Sequence, residues 1–200
     1  MTDVPTATST GPSVADLLMS RAEDDHPGLR FEDDQWSWRE VVSASAVRAS
    51  WIRSVAGPGP LHIGVLLGNV PEYIFWLGAA ALADAVVVGI NSTRRGRALA
   101  GDIERTDCAV LVTDAEGARL LDGLDTGLPA ERVIRIDDPA YAGSLRAHQG
   151  ADPRSVVAAC TPGPEDLFLL LFTSGTTGVP KAVRCTQGRL ASIALRSAEA

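Results

Sequence analysis

From residue 61 onward, apolar stretches of five to seven residues alternate with stretches that carry helix signals, and this alternation narrows the possible folds most sharply. The apolar stretches are residues 61–67, 86–90 and 109–113, and residues 132–136, which include two arginines, are predicted to be a further strand. The helical stretches between them are residues 71–83, 98–105 and 115–121, the first of which opens with a proline. Buried strands that alternate with helices predict βαβ units. We therefore expect an α/β fold with a mostly parallel sheet flanked by helices.

The two ends of the chain carry weaker patterns. Ahead of the alternation we predict a helix capped by Ser13, short strands at residues 29–31 and 36–38 around a turn at Asp33 and Asp34, and a long helix over residues 39–55. Beyond it we predict a surface connection over residues 138–164, a buried strand at 166–172, a short strand at 182–185 and a helix over 189–200. Residues 1–12, rich in Thr, Ser, Ala and Pro, are predicted to be a disordered lead-in.

Composition excludes several classes of function. The net charge is −7 and the pI about 4.9. The densest basic cluster, which contains Arg94, Arg95 and Arg97, is short and lacks interleaved aromatic residues, so no nucleic acid partner is expected. The three cysteines and three histidines fit neither a zinc motif nor a disulfide framework. We therefore predict reduced thiols and no metal site.

One stretch has nearly the length of a membrane span. Residues 73–90 carry a single charge, Asp84. Because the first half is rich in Ala and Leu and the second in Val, a helix followed by a buried strand is favoured, and no transmembrane segment is expected. The amino terminus lacks the charged start and apolar run of a secretory signal, so a cytoplasmic location is expected.

The segment most informative about chemistry follows the apolar strand at residues 166–172. It reads Thr-Ser-Gly-Thr-Thr-Gly-Val-Pro-Lys over residues 173–181. Gly175 and Gly178 allow the backbone to approach a ligand closely, and successive N–H groups in such a loop form an anion-binding concavity. Four hydroxyl side chains can donate to phosphate oxygens, and Lys181 adds a positive charge. The segment therefore predicts a phosphate-binding loop.

The commoner motifs of this kind do not match. A Walker loop needs G-x-x-x-x-G-K-[ST], but here the glycines are three apart and Lys181 follows a proline. The dinucleotide pattern G-x-G-x-x-G is absent. A hydrolase elbow around Ser174 would need glycines where Phe172 and Thr176 stand. A plain Gly/Thr-rich surface turn is the remaining alternative, but such turns rarely combine these hydroxyls and glycines with a Pro-Lys exit.

Residues 172–181 resemble the signature loop of the adenylate-forming (AMP-binding) superfamily, which includes acyl-CoA synthetases, firefly luciferase and the adenylation domains of peptide synthetases. Residues 36–40, 69–73, 86–91 and 109–114 resemble earlier segments of that family, so the resemblance covers about residues 13–200. One departure is Ala182, where the family usually has glycine. Residues 91–96, with the pattern N-x-x-x-R-G, resemble very-long-chain fatty acyl-CoA synthetases and fatty-acid transport proteins; Arg94 and Arg95 as a solvated helix start is the alternative.

The resemblance implies a fatty acid–CoA ligase of lipid metabolism. ATP and a carboxylate would form an acyl-adenylate with Mg²⁺ present, and the thiol of coenzyme A would then displace AMP. The resemblance also implies that the nucleotide phosphates are bound by Thr173, Ser174, Gly175, Thr176, Thr177, Gly178 and Lys181.

The resemblance also implies that residues 13–200 are a partial amino-terminal AMP-binding domain whose fold is incomplete. The family's catalytic lysine and its adenine, ribose and magnesium motifs come later in the chain, so no catalytic residue is expected here and the chain alone is expected to lack turnover. Three alternatives stay open: an adenylation domain for an amino or aryl acid, a non-catalytic nucleotide-binding half-domain, and a remnant without function. For a lipid enzyme, association with a membrane surface is a further expectation.

Overall fold

A computed structural model describes residues 11–56, 61–173 and 181–198. Most of the predicted lead-in, residues 1–12, lies outside these ranges. The helices are α1 (Val14–Met19), α2 (Trp38–Ala56), α3 (Pro71–Leu82), α4 (Gly96–Glu104), α5 (Ala115–Leu121), α6 (Pro139–Arg146), α7 (Pro153–Cys160) and α8 (Gln187–Ala198). The strands are β1 (Pro27–Phe31), β2 (Asp34–Ser37), β3 (His62–Leu66), β4 (Val86–Gly89), β5 (Val110–Thr113), β6 (Val133–Arg135), β7 (Leu167–Thr173) and β8 (Lys181–Thr186).

The main sheet has six strands in the order β6-β5-β3-β4-β7-β8. The first five are parallel, and β8 pairs with β7 in the antiparallel sense. This confirms the predicted α/β fold with a mostly parallel sheet. Because parallel strands end at the same edge, the loops that follow β3, β4 and β7 lie side by side, and ligands of open α/β sheets bind at that edge.

Helices cover both faces of the sheet, as the continuous apolar strands require. One apolar cluster lies against α2 and α3 and includes Trp76, Ile52 and Phe168. The other lies against α4 and includes Leu99, Ile103 and Leu111. A separate two-stranded sheet, β1 and β2, packs on α3 through the edge-to-face rings of Trp36 and Phe75. No helix within the described ranges is long and apolar enough to cross a membrane.

The connection between β6 and β7 differs from the sequence prediction. The prediction of a surface connection over residues 138–164 is wrong, because these residues contain α6 and α7. Asp138 and Asp152 cap these helices through their side chains, and each is followed by a proline at the first helical position. Asp-Pro is a helix-start signal, so the sequence does indicate where both helices begin, although the scattered Pro, Gly and Ser favour a loop.

Other predicted boundaries lie one or two residues from the observed ones. The hairpin turn lies at Glu32 and Asp33 rather than at Asp33 and Asp34, and Glu32 has a φ of 52°. The Ser13 cap is confirmed, and it forms a capping box with Asp16.

A buried amide ties the ends of three helices together. The Gln187 side chain accepts from the Ala15 N–H at 3.0 Å and donates to the Ala81 carbonyl at 3.1 Å. Ala15 is in the first turn of α1 and Ala81 in the last turn of α3, where helices leave backbone groups without an internal partner. Gln187, fully buried at the start of α8, therefore satisfies one orphan group of each helix.

Candidate functional site

The predicted phosphate loop connects two adjacent antiparallel strands. β7 ends at Thr173, β8 begins at Lys181, and these two residues form a register pair. The structure therefore brings the first and last members of the predicted set together across two strands. The other five, Ser174, Gly175, Thr176, Thr177 and Gly178, lie outside the described residues.

The loop starts from the carboxyl edge of the parallel strands. β7 pairs with β4, with Gly89 opposite Leu171. The segment after β4 therefore begins beside the strand that leads into the loop. The N-x-x-x-R-G pattern lies in this segment, and the fold thus brings the start of residues 91–96 to the same edge as Thr173 and Lys181.

The segment after β4 is ordered by its own side chains. The Asn91 carboxamide oxygen accepts from the Thr93 N–H at 2.9 Å and from its hydroxyl at 2.8 Å. Arg94 donates to the carboxylate of Asp102, with Nε 2.9 Å from Oδ2, and Arg105 binds the same carboxylate. The Asp102 side chain is 2% exposed, so two cations compensate a buried charge.

The alternative of a solvated helix start therefore fits Arg95 but not Arg94. Arg94 is engaged in an ion pair with α4, whereas Arg95 is exposed and donates to the backbone carbonyls of Ser92 and Arg94. Sequence reasoning missed the role of Asp102. Its spacing of three residues from Arg105 on a helix was an available signal.

The described residues offer little other chemistry. Within residues 11–56, 61–173 and 181–198, no group of three His, Cys, Asp or Glu side chains could hold a metal ion. The three cysteines are free. Cys108 is buried, which raises the pKa of its thiol and makes it unreactive. The carboxyl edge, where β7 ends and β8 begins, is thus the best candidate site.

Comparison with known proteins agrees with this fold. The family model described as AMP-binding enzyme matches residues 19–199. The steroid-22-oyl-CoA synthetase of Rhodococcus jostii is 50% identical over 184 residues, which are 91% of this chain and 32% of that protein. The medium/long-chain-fatty-acid–CoA ligase FadD17 of Mycobacterium tuberculosis is 39% identical over 186 residues, which are 92% of this chain and 35% of that protein.

A solved structure matches the fold as well. The N-terminal domain of FACL13 from Mycobacterium tuberculosis aligns with a TM-score of 0.71 at 21% sequence identity, over 88% of this chain and 45% of that one. The chain spans about a third of the length of the curated relatives described above. Because the family model covers nearly the whole sequence and the fold is that of a solved amino-terminal domain, the chain belongs to the AMP-binding enzyme family.

Proposed function

We propose that this chain supplies the phosphate-binding part of an ATP-dependent acid–CoA ligase whose carboxylate substrate is a fatty acid. The observation that carries the proposal is the loop of hydroxyls, glycines and one lysine held between β7 and β8 at the carboxyl edge of the parallel sheet. Membership of the AMP-binding enzyme family supports it.

In this proposal the loop binds the β- and γ-phosphates of ATP. Backbone N–H groups around Gly175 and Gly178 and the hydroxyls of Thr173, Ser174, Thr176 and Thr177 donate to phosphate oxygens. Lys181 neutralises charge as pyrophosphate leaves. Mg²⁺ would accompany the nucleotide, since it is commonly held by substrate phosphates with few protein ligands.

The reaction would have two steps. A carboxylate oxygen of the acid attacks the α-phosphorus of ATP, the bond to the β-phosphate oxygen breaks, and pyrophosphate leaves with the electron pair. The thiolate of coenzyme A then attacks the acyl carbon and releases AMP. Positioning and charge neutralisation supply most of the rate enhancement in phosphoryl displacements. The residues assigned here bind and neutralise, so we propose that the 200 residues alone bind nucleotide without forming acyl-CoA.

The identity of the acid has two candidates. A medium- or long-chain fatty acid is supported by the similarity to FadD17. A steroid side-chain acid is the second candidate, supported by the 50% identity to a steroid-22-oyl-CoA synthetase. Both are large apolar carboxylic acids, which distinguishes them from the amino or aryl acids of other adenylation domains.

The sequence provides a sharp test because Lys181 is its only lysine. Limited acetylation of the purified chain with acetic anhydride modifies the Lys181 amine and the amino-terminal amine, and peptide mass spectrometry measures both rates. We expect ATP or pyrophosphate to slow acetylation of Lys181 while the amino terminus reacts at an unchanged rate.

A matched pair of variants tests the hydroxyls. Ser174→Ala removes a hydroxyl from the loop, and Ser197→Ala removes an exposed one from α8. Only Ser174→Ala should weaken the protection. Equal acetylation of Lys181 with and without nucleotide would refute the phosphate-binding proposal. Formation of acyl-CoA by the purified chain would refute the proposed lack of turnover.

A further inference from the structure

The segment that follows β4 is basic in a chain that is acidic as a whole. Residues 91–105 contain four arginines and two acidic residues, whereas the whole chain has a net charge of −7. Arg94, Arg95 and Arg97 lie within four positions of one another, and the first turn of α4 carries no acidic residue. Like charges this close repel each other, so a bound anion would relieve the repulsion.

The buried carboxylate of Asp102 offsets only part of this positive charge, because it has two arginine partners. Arg94 places Nε 2.9 Å from Oδ2 and Nη2 3.3 Å from Oδ1 of Asp102, and Arg105 binds Oδ1 as well. A buried carboxylate needs a cation, but a single one is enough to neutralise it. The two arginines together therefore leave one positive charge in excess.

Arg94 is the partner that stands at the carboxyl edge of the sheet. It belongs to the connection that begins where β4 ends, beside β7, whereas Arg105 caps the far end of α4. Ligands of open α/β sheets bind at the carboxyl edge. The Arg94 side chain is 33% exposed, so its guanidinium can turn toward a ligand at that edge while Arg105 still neutralises Asp102.

Arg95 and Arg97 supply two more cations beside Arg94. Both are exposed, and neither has a carboxylate partner within the part of the chain that the structure describes. Arg95 donates to the backbone carbonyls of Ser92 and Arg94, which leaves its charge without a counter-charge. Because guanidinium groups bind phosphate oxygens through paired hydrogen bonds, a phosphate group is the anion that these three arginines fit best.

We propose that Arg94, Arg95 and Arg97 form a site for a phosphate group of a cosubstrate, at the edge where β7 ends. On binding, Arg94 exchanges the Asp102 carboxylate for the phosphate, and Arg105 keeps the buried carboxylate neutral. The proposal rests on the acid–CoA ligase function proposed above, because that reaction uses two phosphate-bearing cosubstrates, ATP and coenzyme A.

Titration calorimetry of the whole chain with pyrophosphate, coenzyme A and dephospho-coenzyme A tests the site and identifies the source of the phosphate. Arg97→Gln should weaken binding of the recognised probe about tenfold, because a charge-assisted hydrogen bond is lost. Arg146→Gln is the matched control, since Arg146 is an equally unpaired, exposed arginine of the described residues, on α6.

The three probes separate the possible sources. A loss for pyrophosphate alone identifies the nucleotide, and a loss for both forms of coenzyme A identifies its diphosphate. A loss for coenzyme A that dephospho-coenzyme A does not show identifies the 3′-phosphate.

A second variant tests the exchange of partners by Arg94. Asp102→Asn removes the carboxylate that competes for Arg94 and should tighten binding of the same probe about threefold or more, whereas a purely structural Asp102 would give a loss or no change. Glu104→Gln is the matched control, because it makes the same change of charge at an exposed position of α4. Circular dichroism checks that each variant keeps the fold.

Three results would each overturn the arginine site. They are no binding of any probe, a loss in Arg97→Gln no larger than in Arg146→Gln, and a tightening in Asp102→Asn no larger than in Glu104→Gln. Arg97→Gln decides the matter by itself if Asp102→Asn does not fold. Failure here is distinguishable from failure of the ligase proposal, since protection by pyrophosphate is measured at Lys181 itself.

Discussion

Arg48 and Glu72 face each other across the interface of α2 and α3 in a two-point ion pair. Arg48 Nε lies 2.5 Å from Oε1 of Glu72, and its Nη2 lies 2.6 Å from Oε2. Only 8% and 15% of the two side chains are exposed. The Tyr141 hydroxyl also donates to Glu72, and the Arg48 guanidinium lies 4.8 Å from the centre of the Phe75 ring. The pair thus ties α2, α3 and α6 into one unit.

Removal of one partner of this pair should be more harmful than removal of both. Arg48→Met leaves the Glu72 carboxylate buried without its cation, and we expect the free energy of unfolding to fall by about 3–5 kcal/mol. The double variant Arg48→Met/Glu72→Leu should lose clearly less, because no buried charge remains unpaired. Urea unfolding followed by circular dichroism measures both. A double variant that loses as much stability as Arg48→Met and Glu72→Leu lose together as single variants would contradict this account.

The contact between α2 and α3 leaves no room for a side chain at Gly78. A Cβ atom there would overlap the Ser45 hydroxyl and lie 2.8 Å from the Ser45 Cβ. Overpacking of this kind typically costs about 1–3 kcal/mol, so Gly78→Ala should destabilise the chain by about that amount. Ser45→Gly should partly rescue Gly78→Ala, and a thermodynamic cycle from urea unfolding gives the coupling. Gly143→Ala, whose Cβ position has only a distant neighbour, is the control.

Asp84 should make the protein less stable as the pH rises from acid to neutral. Burial, followed by the nearby Asp166, raises the pKa of Asp84 above its ordinary value of 3.8. The folded state therefore binds the proton more tightly, and this contribution to stability is full below pH 3.8 and is lost as the pH rises through the folded-state pKa.

Asp84→Asn should remove that dependence. Asn also suits the backbone at this position, since φ of Asp84 is 48° and Asn adopts the left-handed region readily. The variant should gain stability over the unmodified chain at pH 7 and show a smaller gain at pH 3, as measured by unfolding at both values. A gain that is the same at both values would mean that the carboxyl group is not the cause.

Gln187→Met, which removes the buried amide at the start of α8, should lower the free energy of unfolding. It keeps a similar shape but leaves the Ala15 N–H and the Ala81 carbonyl without partners. An unsatisfied buried group costs about 1–3 kcal/mol, so we expect a loss of at least that size in urea unfolding. Gln35→Met is the control, because Gln35 is exposed and its hydrogen bond to Arg30 is on the surface. Losses of equal size in both variants would contradict the role assigned to Gln187.

Most of the fold could be predicted because its signals are local. The apolar strands and the helices between them follow from periodicity, and Ser13 and Pro71 mark helix starts by chemistry that acts within a few residues. The strand order and the antiparallel placement of β8 depend on pairings between distant residues, which a single sequence does not specify. Helices α6 and α7 also begin at local Asp-Pro signals, but the Pro, Gly and Ser scattered around them are typical of a loop and obscure those signals.

In the candidate site, too, the local features could be predicted and the contacts between distant residues could not. The loop was recognised because its residue types lie next to one another in the chain. The Arg94–Asp102 pair depends on a contact between the segment after β4 and α4, so the residue types around Arg94 did not reveal it. Arg94 is the clearest case of a contact that the sequence alone does not predict. An arginine at a helix start is usually solvated, and only the fold places a buried carboxylate within its reach.

The antiparallel pairing of β7 with β8 has a consequence for the order in which contacts can re-form after local opening. Thr173 and Lys181 pair across only eight positions of chain, whereas Gly89 and Leu171 pair across 82. Loop-closure entropy grows with the logarithm of the span, so the hairpin closes with about 2 kcal/mol less entropic cost than the β4–β7 pair. The segment that carries residues 173–181 is therefore expected to recover its register ahead of the parallel strands, as a local cooperative unit.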